Sequence, residues 1–125
     1  MLGIIGGLKV ISIASLEPGK VGIYIREDGW QIYDLENKTI IPFEGVDGKV
    51  WGIESLEPGK VGIDVNDNNY PDWQIYDLEN KTIIPFEGVD GQVWSIESLE
   101  PGKVGINIRE DGVRRTRIVR LFGLF

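Results

Sequence analysis

The sequence predicts an all-β protein built from three tandem copies of one unit of about 40 residues. Three observations carry this. The segment SLEPGKVGI occurs at 15–23, 55–63 and 98–106, at spacings of 40 and 43 residues, and self-similarity at such a period marks units that bury their apolar faces on one another. Glycine is abundant, 17 residues against 6 prolines, as a fold of many tight turns requires. No stretch sustains a 3.6-residue apolar period, so no significant helix is expected.

Residues 30–63 and 73–106 match at 32 of 34 positions, differing only at Lys49/Gln92 and Gly52/Ser95. The longer second spacing comes from an insertion, VGIDVNDNNYPDWQ replacing VGIYIREDGWQ. Such near-identity fits recent duplication or a consensus design. The units run over 8–47, 48–90 and 91–125 of a single domain, 1–125, with residues 1–7 as a strand that completes the last unit.

Each unit reads as four strands. The first is VWGIES at 50–55, with VISIAS at 10–15 and VWSIES at 93–98 as counterparts. The turn LEPGK follows, proline presetting φ and glycine accepting φ > 0. The second strand is VGIYI at 21–25, matched by VGIDV and VGINI, and Glu-Asp-Gly after VGIYI signals a hairpin. The third, WQIYDL at 30–35 and 73–78, is aromatic and β-branched. After the polar turn ENKT comes TIIPF at 39–43 and 82–86, whose proline lacks a donor and belongs at a sheet edge. With a shortened fourth strand at the start and a third strand near Thr116–Phe122, the count is twelve.

Composition narrows the chemistry. Hydrophobic residues are 42% and charged residues 26%, a globular rather than a disordered balance. The chain has no cysteine and no histidine. This removes disulfides, thiolate sites, histidine-ligated zinc and serine–histidine triads. Residues 1–112 hold all 20 acids and 9 bases, a net of −11, whereas 113–125 hold Arg114, Arg115, Arg117 and Arg120, a net of +4. An acidic body argues against nucleic acid as partner. The basic tail is expected to pack on that body. No apolar stretch reaches the ~20 residues of a membrane span. The opening MLGIIGGLKVISIA lacks a basic n-region and runs into the repeat, so it reads as structure rather than as a leader, and the compartment stays open.

The unit EGVDGKVWGIESLEPGK, VGIYIREDG, WQIYDLENK resembles the blades of WD-repeat β-propellers in motif order and in nearly all spacings, over roughly residues 8–112. Tyr33-Asp34 and Tyr76-Asp77 stand where that family carries Trp-Asp, and Val46 and Val89 where it carries histidine. The resemblance implies three four-stranded blades and a non-enzymatic protein-binding scaffold. Propellers use at least 4 blades, so three units imply self-assembly, with a homodimer completing a six-bladed ring. The alternative fold is a monomeric β-trefoil, which also has three repeats and twelve strands. The alternative function is a lectin of either fold, its repeated Trp and Tyr rings stacking on a glycan.

The sharpest local motif is DVNDNNYPD at 64–72, which resembles the calcium loops of FG-GAP propeller repeats. Asp64, Asn66, Asn68, Tyr70 (through its C=O) and Asp72 would supply alternating oxygens; a hairpin loop that caps its own backbone is the competing reading. Trp30, Trp51, Trp73, Trp94, Tyr33 and Tyr76 recur with the repeat, either as sugar-stacking rings or as core. The repeated acids Asp34/Asp77, Glu44/Glu87, Glu54/Glu97 and Glu57/Glu100 fit surface turns better than a single catalytic pair, so no catalytic residue is assigned. The third unit closes with VRRTRIVRLFGLF in place of WQIYDLENKTIIPF, and its Leu121, Phe122, Leu124 and Phe125 form an apolar patch expected at a subunit interface.

Overall fold

The computed structural model describes residues 3–5, 8–66, 70–86, 88–89 and 91–121, and among them thirteen strands and no helix. A lead-in hairpin pairs β1 (Gly3–Ile5) with β2 (Leu8–Val10). The first unit is an antiparallel meander of β3 (Ser12–Glu17), β4 (Lys20–Ile25), β5 (Gly29–Asp34) and β6 (Thr39–Ile41), in that sheet order. The second repeats it with β7 (Gly52–Glu57), β8 (Lys60–Asp64), β9 (Trp73–Asp77) and β10 (Thr82–Ile84). The third is a three-stranded sheet of β11 (Gln92–Glu100), β12 (Lys103–Glu110) and β13 (Val113–Arg120). As their prolines require, β6 and β10 lie at sheet edges, and both stop before Pro42 and Pro85. Within this chain β1 lies on β2 and not on β13, whose outer edge carries no strand among the described residues.

Each unit is a sheet of its own. Among the described residues the ladder between units is a single isolated parallel bridge, Gly29 to Val50, where Trp30 N–H donates to the Val50 carbonyl at 2.9 Å. A β-trefoil would share strands of all three units in one barrel, so the trefoil alternative gives way to separate blades stacked face to face.

The core lies between the sheets. Leu16, Trp30 and Phe43 of the first unit pack on Val61, Ile63 and Tyr76 of the second. Leu56, Trp73 and Phe86 of the second pack on Val93, Val104 and Ile106 of the third. Glycine sets the spacing. A methyl group on Gly22 would sit 3.4 Å from Ile53 Cδ1, and one on Gly62 2.9 Å from Ile96 Cγ2, so the next unit's isoleucine seats directly on a bare backbone.

The segment SLEPGK builds a polar seam beside this core. Its Leu-Glu pair continues the first strand, and the two-residue turn is confined to Pro-Gly. The strand can run on because a β-bulge between Ser15 and Glu17, repeated between Ser55 and Glu57, drops one leucine out of register. The carbonyl of that leucine then accepts from the next unit: Ser55 Oγ donates to Leu16 O at 2.9 Å, and Ser98 Oγ to Leu56 O at 2.8 Å. The neighbouring glutamate reaches the next turn, Glu17 Oε1 accepting from Gly59 N at 2.8 Å and Glu57 Oε1 from Gly102 N at 3.1 Å.

Ser98→Ala leaves the Leu56 carbonyl unpaired in the seam and is expected to cost about 1 kcal/mol. Ser15→Ala, at an exposed edge of the first unit where no preceding unit supplies a leucine carbonyl, costs a single chain close to nothing. Denaturant unfolding of the two variants at a concentration that holds single chains checks the contrast.

Candidate functional site

The loop predicted to hold calcium is organised by one carboxylate. Asp64, buried at the end of β8, accepts through Oδ1 from Asn66 N at 3.1 Å and Asp72 N at 2.9 Å. Val65 N–H returns to the Asp72 carbonyl at 3.1 Å. Burial, with the Asp64 charge adding to it, pushes the Asp72 carboxyl above the usual range, opposed by a hydrogen bond from Gln74. Tyr70 is exposed, and Asn68 lies outside the described residues. Asp64 Oδ1 thus holds two N–H groups of its own loop, the arrangement of a hairpin loop that caps its backbone. The described part of the loop fits a self-capped turn better than a calcium cage.

The same device closes the third hairpin edge twice. Asp34 Oδ1 accepts from Glu36 N and Asn37 N, and its Oδ2 from Asn37 Nδ2 at 2.9 Å. Asp77 repeats all three bonds with Glu79 and Asn80. The Asn37 bonds hold the Asp34 carboxyl below the ordinary range. Around Asp77 burial pushes upward, and the bonds from Asn80 and Glu79 outweigh it. These acids are turn caps. On the inner strands Glu54 faces Glu97; burial first, then the Glu97 charge, raises the Glu54 carboxyl.

The repeated aromatics are largely committed to packing. Tyr76 is fully buried, meets Phe43 edge-on at 5.1 Å and donates its hydroxyl to the Glu44 carbonyl at 2.9 Å. Trp30 and Trp73 are half-buried between units. Trp51 is covered by Lys49 Nζ at 4.5 Å. Tyr70 is the one exposed aromatic among the described residues, which leaves little for a sugar to stack on.

The third unit differs. In β13, Thr116, Val119 and Arg120 take the register places that Trp73, Tyr76 and Asp77 hold in β9. A methyl group on Gly52 would strike Trp73 at 3.0 Å; with threonine opposite, the third unit accommodates Ser95, which accepts from Asn107 Nδ2. The space vacated is a cleft of about 340 Å³ lined by Trp94, Ser95, Asn107, Arg114, Arg115 and Thr116. The guanidinium groups of Arg109 and Arg114 lie 5.6 and 5.7 Å from the Trp94 ring, and Trp94 Nε1 is buried without a hydrogen-bond partner. The cleft was not anticipated from the sequence, although the replacement of the repeat's WQIYD by TRIVR after VRR carried the signal. Of the basic residues, Arg117 does turn back on the body, to the Gly88 carbonyl at 2.9 Å and Glu110 at 3.4 Å; Arg114, Arg115 and Arg120 stay exposed. Leu121 packs on the core under β11 and β12 rather than standing free for an interface, and Phe122, Leu124 and Phe125 lie outside the described residues.

No protein family and no curated protein matches the sequence. Among solved structures the chain is similar to the crystal structure of the WD40 β-propeller domain of Doa1, at 15% identity and a TM-score of 0.51, over 91% of this chain and 41% of that one. The fold is therefore a set of propeller-type blades, spanning less than half the length of that propeller chain.

Two outcomes follow from these assignments. Asp64→Ala removes the cap on two loop amides and is expected to cost about 1–2 kcal/mol, while calcium in place of chelator leaves the wild-type melting temperature unchanged; a rise with calcium would identify a cation site. Glu54→Gln relieves a carboxylate whose folded pKa is raised, and a raised acid lowers stability as pH climbs through its range. The variant should gain about 0.5 kcal/mol at pH 7, on the scale of an exposed charge pair, with the gain vanishing below the carboxylate range in melts taken across pH.

Proposed function

We propose that the chain is a non-enzymatic, propeller-type interaction module that self-associates and holds an acidic protein segment on its third unit. The observation that carries the reading is the Trp94 cleft. It pairs an indole face with three exposed or half-exposed guanidinium groups, on a body whose remaining charge is strongly negative. Guanidinium forks bind carboxylates bidentately, and the half-buried Trp94 ring beside them offers an apolar face to the peptide. A wider field from the acidic body would repel an acidic partner everywhere except here, which favours one docking site over many.

Calorimetric titration with a glutamate-rich peptide at low salt tests this. Wild type should bind, Arg114→Glu combined with Arg115→Glu should weaken binding at least tenfold, and salt should weaken it steeply. No binding by wild type, or equal binding by the double variant, overturns the assignment. A positive glycan array that depends on Trp94 would shift the reading to the carbohydrate-binding alternative.

A further inference from the structure

The contacts that join one unit to the next are written twice in this chain, and each is left half-made at its two ends. On the leading face of a unit stand an isoleucine knob, a serine hydroxyl and a turn glycine N–H. In the second and third units these are Ile53 with Ser55 and Gly59, and Ile96 with Ser98 and Gly102, all engaged with the preceding unit. In the first unit they are Ile13, 49% exposed, with Ser15 and Gly19, both exposed.

The trailing face is complementary. It carries a bare glycine, a bulged leucine with its carbonyl, a glutamate and a strand isoleucine. In the second unit these are Gly62, Leu56, Glu57 and Ile75, the last 1% exposed. In the third they are Gly105, Leu99, Glu100 and Ile118. Leu99 is 48% and Ile118 66% exposed. A methyl group on Gly105 would meet only Leu99 of its own unit, and the bulge between Ser98 and Glu100 again frees the Leu99 carbonyl. Glu100 turns to Lys103 at 2.7 Å instead of to a following turn.

We infer that the third unit of one copy docks on the first unit of a second copy and repeats the internal seam, and that two such seams close a six-unit ring. Ile13 of each copy seats over Gly105 of the other, taking the place of the exposed Leu99 side chain that lies there in the single chain, and beside Ile118. Ser15 donates to the Leu99 carbonyl, and Glu100 accepts from Gly19 N–H. The inner-strand charges agree with this. Where Glu54 meets Glu97 inside the chain, the same position in the first unit is Ala14, so the new seam adds no carboxylate repulsion. The copy number follows from blade arithmetic: propellers close with about 4–8 blades, and of the multiples of three only two copies fall in that range. The inference deepens the self-association in the proposed function and rests on that reading; the Trp94 cleft lies on the same trailing face, Thr116 holding the register place that Trp73 fills in the internal seam.

Light scattering behind size exclusion on the full chain reads the outcome. Wild type should have twice the 14.0 kDa chain mass. Ile13→Glu and Leu99→Glu should each give single chains, with cooperative unfolding retained. Mixing the two should restore a two-chain species, because one intact Ile13 face meets one intact Leu99 face; a dimer that paired like faces, first unit on first or third on third, would not depend on both residues in this way. The gentler variants Ser15→Ala and Glu100→Ala, which keep the apolar seam, should each weaken the dimer about tenfold. A wild-type mass of 14.0 kDa, a dimer that survives both charge substitutions, or an open series of larger species would overturn the inference. Peptide titration of the Ile13→Glu single chain, whose Trp94 cleft no second copy covers, reads the acidic partner apart from the seam, so the two readings fail separately.

Discussion

The polar seam that joins one blade of this chain to the next depends on a single displaced leucine. A β-ladder satisfies its backbone groups in pairs, and a bulge withdraws one carbonyl from that pairing. At Leu16 and Leu56 the withdrawn carbonyl faces the neighbouring sheet and receives a serine hydroxyl from it. The bulge also sets the glutamate that follows within reach of the next turn's N–H. The serine, leucine and glutamate are consecutive residues of one motif, so each copy carries both halves of the joint. A repeat of this kind stacks in one direction only and at one spacing, and the seating of Ile53 and Ile96 over Gly22 and Gly62 gives that spacing its apolar stabilisation.

Much of this was legible in the sequence. Period-2 apolar strands, Pro-Gly turns and edge prolines all lie where local chemistry puts them, because those effects act over a few residues. The first strand was placed two residues short of its true end. LEPGK has the composition of a turn, and the bulge that lets Leu-Glu continue the strand is stabilised by a unit some 40 residues away. The same distance effect hid the location of the core. Trp30 and Tyr76 read as core residues, but the sequence did not say that their partners lie in the next sheet. The Asp64 loop read both as a cation loop and as a self-capped hairpin because alternating oxygens suit either; the capping bonds themselves, from Asn66 N and Asp72 N to Asp64, appear only in the structure.

Local determinism is clearest where identical segments meet different surroundings. Asp34 is half-buried and Asp77 is largely buried, yet both form the same three bonds to the Asn and Glu that follow. Lys38 and Lys81 adopt the same left-handed conformation after them, at φ 56° and 57°. The segment IREDG behaves otherwise. In the first unit it closes a three-residue loop, with Gly29 at φ 84° and Asp28 N–H returning to Ile25. In the third it extends the strands, and Asp111 and Gly112, at φ 51° and 78°, form a two-residue turn of the mirror-image type. Five equal residues give two turns because the strand that follows begins with Trp-Gln in one unit and Val-Arg-Arg in the other.

That difference locates where this chain is free to vary. The partner of Tyr24 across the hairpin is Trp30, six positions on, whereas the partners of Asp64 and Asn107 are nine positions on. The second unit spends its three extra residues on a capped loop, and the third spends them on a longer hairpin. Both changes fall at the connection between the second and third strands of a unit, on one rim of the stack. Neither disturbs the serine, leucine, glutamate and glycine positions at the opposite ends of the same strands. The Trp94 cleft is a product of this freedom: lengthening the hairpin brings Arg114 and Arg115 beside it, and loss of the tryptophan opposite Asn107 opens its floor. The polar seam and the variable hairpin thus lie at opposite ends of the same strands, so the hairpin can lengthen or shorten while the serine, leucine and glutamate joints keep their geometry.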